Sequence, residues 1–175
     1  MRPIRIQKAE KNKKQGNRGW IYLLAFLFPV LIFTLGFALK GVYPFGENSA
    51  LVVDGVHQYT AFYRELSEQL GKGTGWTWSA HAMGYNFYGL FCYLCSPFSF
   101  LILLFMKFMY VNEAVTAVIL IKAGLCSVSM AWYSGKKYPG RGSMAVSLGC
   151  MYALSDFFIG YYSNVMWLDC IMLLP

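Results

Sequence analysis

The chain has 175 residues, 57% of them apolar, 18% aromatic and only 13% charged, with a net charge of +7. Soluble domains carry about 25% charged residues, so the composition excludes an ordinary water-soluble domain and points to a chain built for lipid. The positive charge is gathered at one end: Arg2, Arg5, Lys8, Lys11, Lys13, Lys14 and Arg18 precede the first apolar run, opposed only by Glu10. Directly before a span, such a cluster reads as a cytoplasmic retention signal rather than a nucleic-acid patch, and it also suits anionic lipid. Residues 1–19 are therefore expected to form a basic cytoplasmic tail, with no nucleic-acid partner.

Residues 20–40 hold about twenty positions without a charge before Lys40, enough to cross about 30 Å of hydrocarbon. Trp20 and Tyr22 mark one interface, Lys40 and Tyr43 the other. The run is too long for a signal peptide and no small-residue cleavage site follows it, so it is expected to be a retained transmembrane helix. Residues 41–85 then form the first external loop. Within it Tyr59, Phe62, Tyr63, Leu66 and Leu70 share a helical face, with Arg64 and Glu68 paired on the other, which predicts an amphipathic helix over 57–70 lying in the interface plane. The glycines at 71, 73 and 75 lack phosphate-loop spacing and read as a flexible turn. Trp76, Trp78, His81, Tyr85, Asn86 and Tyr88 follow, as an aromatic belt at headgroup depth or a platform for stacking sugars.

The apolar stretch 86–110 is interrupted at Ser96-Pro97, where Pro97 suits the first position of a new helix. Residues 111–134 read as a transmembrane helix, 135–142 as a basic turn, 143–163 as another transmembrane helix, and 164–175 as an external loop and the start of a further span. Because the sequence stops inside an apolar run at Leu173-Leu174-Pro175, it reads as the N-terminal part of a longer protein. If 86–110 crossed the membrane, Lys136, Lys137 and Arg141 would face outward. The Lys/Arg bias favours an interfacial or re-entrant helix there, which keeps the turn cytoplasmic. Lys122 and Asp156, each deep in an apolar run and equidistant from Pro139, are expected at equal depth. There they either neutralise each other, or Lys122 meets a ligand phosphate with Asp156 tuning it. The five cysteines sit in apolar surroundings, and the Cys92/Cys95 spacing lacks the second pair a zinc or redox motif needs.

The polar segment Val52-Val53-Asp54-Gly55-Val56-His57-Gln58-Tyr59 sets a carboxylate and an imidazole just beyond the first span. Together with Ser96-Pro97-Phe98, Leu120-Ile121-Lys122-Ala123-Gly124, Tyr152-Ala153-Leu154-Ser155 and Asn164-Val165-Met166-Trp167-Leu168-Asp169, it resembles the bacterial YfhO family of multi-span proteins. More broadly the order is similar to the GT-C superfamily of membrane glycosyltransferases, such as the protein O-mannosyltransferases and the lipid A aminoarabinose transferase. Asp156 stands where a glycine is more usual.

The resemblance implies an all-α, polytopic transmembrane helical protein of the bacterial cell membrane, GT-C-like, with its N-terminus cytoplasmic and interfacial amphipathic helices in its first external loop. It further implies transfer of a sugar from a polyprenyl-phosphate donor to a cell-envelope acceptor such as lipoteichoic acid. Asp54 would be the catalytic carboxylate, a base toward the acceptor hydroxyl, with His57, Gln58, Lys122 and Asp169 binding substrate. A helix cap is the plainer reading of Asp54. A divalent metal ion on Asp54 and His57 would need further ligands. The competing class is a transporter or flippase for lipid-linked sugars, or an assembly scaffold, which an intramembrane Lys122 and Asp156 would suit.

Overall fold

The computed structural model describes residues 18–72, 78–79 and 84–175. The basic tail to residue 17, the glycine run at 73–75, Trp76 and His81 lie outside the described residues. The described chain is helical apart from one two-stranded ribbon. Among the described residues three helical segments are long and apolar enough to cross a membrane: Gly19–Leu39, Val111–Lys137 and Gly142–Tyr161, the last with a break at 154–155. The protein is an all-α polytopic membrane protein.

Helix α1 (Arg18–Leu39) contains Pro29 and no charge beyond its first residue. It exposes Leu23, Leu24, Leu27, Phe28, Leu31, Ile32 and Leu35 along its length, while Ala25 is buried. In water that apolar stripe would be a large liability; against acyl chains it is the expected surface. The chain then turns tightly at 40–48, where Asn48 donates from Nδ2 to the Lys40 carbonyl at 2.8 Å. A π-helical turn, Gly55–Tyr59, leads into α2 (Thr60–Lys72). Short strands β1 (Trp78–Ser79) and β2 (Tyr85–Asn86) pair antiparallel, with Ser79 opposite Tyr85.

A 3-10 turn, Phe87–Leu90, continues into α3 (Phe91–Leu94), and α4 (Pro97–Phe105) follows. The two halves meet at 94°. Ser96 makes the break: its backbone is extended, its hydroxyl accepts from the Phe98 N–H, and Pro97 begins the next helix without a donor to waste. Helix α5 (Val111–Lys137) follows, then α6 (Gly142–Ala153), α7 (Asp156–Tyr161) and α8 (Val165–Leu173).

Helix α5 is the hub. Its apolar window is 56% buried against 11% for α1, and it packs on α1, α2, α4, α6 and α8. Val115, Val118, Ile119 and Ala123 are wholly buried, sharing a core with Tyr59, Tyr63, Phe87, Ile102, Phe158 and Leu168. Close helix approach is carried by small residues, as is usual between membrane helices. A Cβ on Gly124 would stand 2.5 Å from the Phe26 ring, and one on Gly149 2.5 Å from the Ser127 carbonyl oxygen.

The ends of the bundle are distinct. One cleft brings Ile21 and Tyr22 of α1 beside the 138–142 turn. A smaller one brings Val42 and Tyr43 beside Asn112 and Thr116 at the start of α5. The connection from 40 to 110 therefore leaves and re-enters the bundle at the same end.

Three expectations change. The amphipathic helix begins earlier than 57, through the π-helical turn, and reaches Lys72. Its buried face carries Tyr59, Tyr63 and Leu66 but also Glu65 and Gln69, while Leu70 is exposed. Gln69 Nε2 donates to Glu65 Oε1 at 2.8 Å, so the polar pair is buried together. The run 143–163 is not one unbroken helix: α6 stops at Ala153, and the Ser155 hydroxyl accepts from the Phe158 N–H to start α7. Serine offers the backbone this alternative bond and so restarts the helix.

Candidate functional site

Asp54 follows Val53, whose φ of 45° is left-handed. A β-branched residue is strained there by about 1–3 kcal/mol, a penalty that packing must hold in place. The packing is visible: the Tyr162 hydroxyl donates to the Ala50 carbonyl at 2.6 Å, Leu51 is buried, and a Cβ on Gly55 would stand 3.3 Å from Ser163 Cβ. The segment before Asp54 is thus pinned to the joint between α7 and α8. Beyond Asp54 the backbone takes five residues of π-helix, a rare geometry that recurs at functional positions.

Asp54 is half-buried and makes no side-chain cap to the helix it precedes, so the capping reading does not hold. Its Oδ1 accepts from Gln58 Nε2 at 3.1 Å, while His57 is exposed beside it. The carboxylate is held by one amide and otherwise open. Among the described residues no three His, Cys, Asp or Glu side chains converge as a metal site, so Asp54 and His57 gain no further ligand here.

Lys122 is wholly buried on α5. Its Nζ lies 2.7 Å from Asp169 Oδ1, donates to the Val165 carbonyl at 2.9 Å, and stands 5.0 Å from the Phe98 ring centroid. Its counter-charge therefore comes from α8, not from Asp156. Asp156 is exposed in the first turn of α7, where a carboxylate complements the helix dipole. The expected Lys122–Asp156 pair fails because α6 ends before Asp156, which turns that residue outward. Asp169 keeps 22% of its side chain exposed. Helix α8 is further tied by Tyr152, whose hydroxyl donates to the Ile171 carbonyl at 2.6 Å.

One face of α2 runs from the first carboxylate toward the second. Tyr59 and Tyr63, a turn apart, are each 1% exposed, and the Tyr93 ring meets Tyr59 edge-on at 5.7 Å. Burial raises the Tyr59 pKa well above the usual phenol value, helped by Tyr63, Tyr93 and Asp54. Burial likewise pushes Tyr63 up to about 12, with Ser99 opposing and the Asp169 carboxylate adding to the rise. Both phenols stay protonated at neutral pH. Sequence reasoning placed Tyr63 on the apolar face of the helix without linking it to the site, and missed Ser99 and the Glu65–Gln69 pair. The four-residue spacing of Glu65 and Gln69, set among Phe62, Tyr63 and Leu66, was the available signal.

Trp78 and Tyr88 are exposed, and Asn86 Oδ1 accepts from the Tyr88 N–H at 3.0 Å. The five cysteines are free thiols, with Cys92 and Cys95 exposed.

Residues 25–175 match the family described as bacterial membrane protein YfhO. The chain belongs to the YfhO family. The match begins inside α1 and takes in Asp54, Lys122 and Asp169, so both carboxylates and the buried lysine lie within the family region. Comparison with curated proteins and with solved structures gives no match.

Proposed function

We propose that this YfhO-family protein is a GT-C-type glycosyltransferase, moving a sugar from a polyprenyl-phosphate donor to a hydroxyl of a cell-envelope acceptor such as lipoteichoic acid. The observation that carries the reading is the presentation of Asp54: half-open, uncapped, and fixed between a left-handed Val53 and a π-helical turn. As the acceptor oxygen bonds to the anomeric carbon, Asp54 takes its proton. The bond from that carbon to the phosphate oxygen breaks, and the polyprenyl phosphate leaves with the electron pair. Gln58 holds the carboxylate in place, and His57 offers a polar contact to donor or acceptor. Asp169 orients a substrate hydroxyl with its exposed edge. Lys122, fully buried behind it, acts by positioning Asp169 rather than by touching the donor phosphate.

In this reading the basic tail and the 138–142 turn are cytoplasmic, and Asp54 lies at the outer face. The support is the shared end of the bundle taken by the start of α1 and the turn, together with the Lys/Arg bias. The α3–α4 pair, bent by 94°, then dips into the outer leaflet without crossing.

A transporter or flippase for lipid-linked sugars is the second reading, favoured by a buried ion pair on a spanning helix. Incorporation of labelled sugar from a polyprenyl-phosphate donor by the full-length protein separates the two. Asp54→Asn is expected to lower transfer at least about 10²-fold while membrane insertion and expression hold. Full activity in that variant sinks the catalytic role of Asp54. Movement of lipid-linked sugar across the bilayer with no transfer by the wild type selects the transporter.

A further inference from the structure

At the end of the bundle away from Asp54, a cleft of about 790 Å³ opens between the start of α1 and the α5–α6 turn. Sites for small ligands run about 300–1,000 Å³. Its lining is apolar at Ile21, Leu24 and Val146 and polar at Lys136, Arg141 and Ser143. Among the described residues no acidic side chain lines it. Helix α6 begins here with no side-chain cap at Arg141, so its first N–H groups and the positive end of its dipole lie at the cleft.

A second observation fixes the depth of this cleft. Tyr138 lines it, Trp20, Trp132 and Tyr133, adjoining or one helical turn from lining residues in the chain, are exposed as Tyr138 is, and Lys136 Nζ sits 5.6 Å from the Trp132 ring centroid. Lys137 Nζ lies 5.9 Å from the centroid of Tyr138. Aromatic rings interleaved with lysines gather where acyl chains meet headgroups. An occupant at that level meets hydrocarbon on one side and two cations on the other.

We propose that this cleft binds one anionic phospholipid of the surrounding leaflet, with its phosphate on Lys136, Arg141 and the α6 N-terminus, and an acyl chain along Ile21, Leu24 and Val146. Charge argues for that occupant over the chain's own tail. Residues 1–17 carry Arg2, Arg5, Lys8, Lys11, Lys13 and Lys14 against a single Glu10, so like charges oppose their entry. The site does not depend on the transferase reading.

The test uses the full-length protein in mild detergent, offered phosphatidylglycerol, phosphatidylcholine or inorganic phosphate. Retained lipid is counted by native mass spectrometry, and Tm is followed alongside. Phosphatidylglycerol should be retained in preference to phosphatidylcholine and should raise Tm, while phosphate alone should not. Lys136→Ala combined with Arg141→Ala should weaken phosphatidylglycerol retention about thirtyfold, as expected for two interfacial cations. Gly135 lines the cleft, and a Cβ there meets nothing within 4 Å. Gly135→Leu therefore fills the space with both cations intact and should abolish retention in a chain that stays monodisperse. Equal retention of the two lipids, or unchanged retention in either variant, overturns the proposal. A Tm rise from phosphate alone equal to that from the lipid assigns the cleft to a soluble anion and overturns it as well.

Discussion

Lys122 holds a charge on the most buried helix of the bundle, and its neighbours decide whether that is tolerable. Asp169 at 2.7 Å and the Val165 carbonyl at 2.9 Å meet the ammonium from α8. Removing one partner of such a pair strands the other, at about 3–5 kcal/mol, whereas replacing both by apolar groups of similar volume is close to neutral. Asp169→Ala is therefore expected to destabilise the protein by about 3 kcal/mol, the lower figure because Asp169 is partly exposed. Lys122→Met combined with Asp169→Leu should restore most of that loss, as read by thermal unfolding in detergent. If the double variant is as unstable as Asp169→Ala, the buried charge is not the cause. Val53 invites the opposite change. Its φ of 45° suits glycine, so Val53→Gly should raise stability by about 1 kcal/mol once the greater freedom of the unfolded chain is offset. The same change should lower transfer, by loosening Asp54. A drop in Tm on Val53→Gly would mean the valine side chain contributes more by packing than its backbone costs.

The contacts between elements are closest at Gly124 and Gly149, where α1 and α6 press on α5. Gly149 faces backbone, which cannot swing aside, while Gly124 faces a phenylalanine ring, which can. Gly149→Leu should therefore destabilise more than Gly124→Ala, by about 1–3 kcal/mol for an overpacked contact, with unfolding in detergent as the measure. Equal losses would mean that the helices slide apart instead. Composition and period made the spans legible, since twenty uncharged apolar residues have few other uses. The break at Ser96-Pro97 was legible as well, because proline and a capping serine act locally. The break at Ser155 was not, since Leu154-Ser155 looks like any other pair inside an apolar run. That hidden break is why Lys122 and Asp156, equidistant from Pro139, do not meet. Equal spacing along two helices sets depth but not the facing of a side chain, and α8, which supplies Asp169, was seen only as the start of a further span. Asp54 stood out as a candidate in the sequence because a carboxylate lay just beyond a span. Its presentation, fixed by Val53 and the π-helical turn, depends on Tyr162 from far along the chain.

Across the whole molecule, the two ends of the bundle differ in charge. The start of α1 and the turn with Lys136, Lys137 and Arg141 share one end, while Tyr43, Glu47 and Asn48 border the start of α5 at the other. A connection that leaves and returns at the same end makes an even number of crossings, and among the described residues the 40–110 segment has only the bent α3–α4 pair with which to make one. In the proposed topology the pair makes no net crossing, and the three long helical segments carry the chain through the bilayer. In the same proposal, positive-inside bias puts the basic end in the cytoplasm. Single-cysteine variants in a background with the five native cysteines replaced test this directly. Tyr138→Cys, at an exposed position in the turn, should resist an impermeant thiol reagent added to intact cells and react once the cells are permeabilised. Glu47→Cys, exposed at the opposite end, should react from outside in both conditions. The reverse pattern would invert the bundle, moving Asp54 to the cytoplasmic face and away from any extracytoplasmic acceptor. Labelling of both positions in intact cells would mean that the two ends lie on one side of the membrane, and the three-span reading would fall with it.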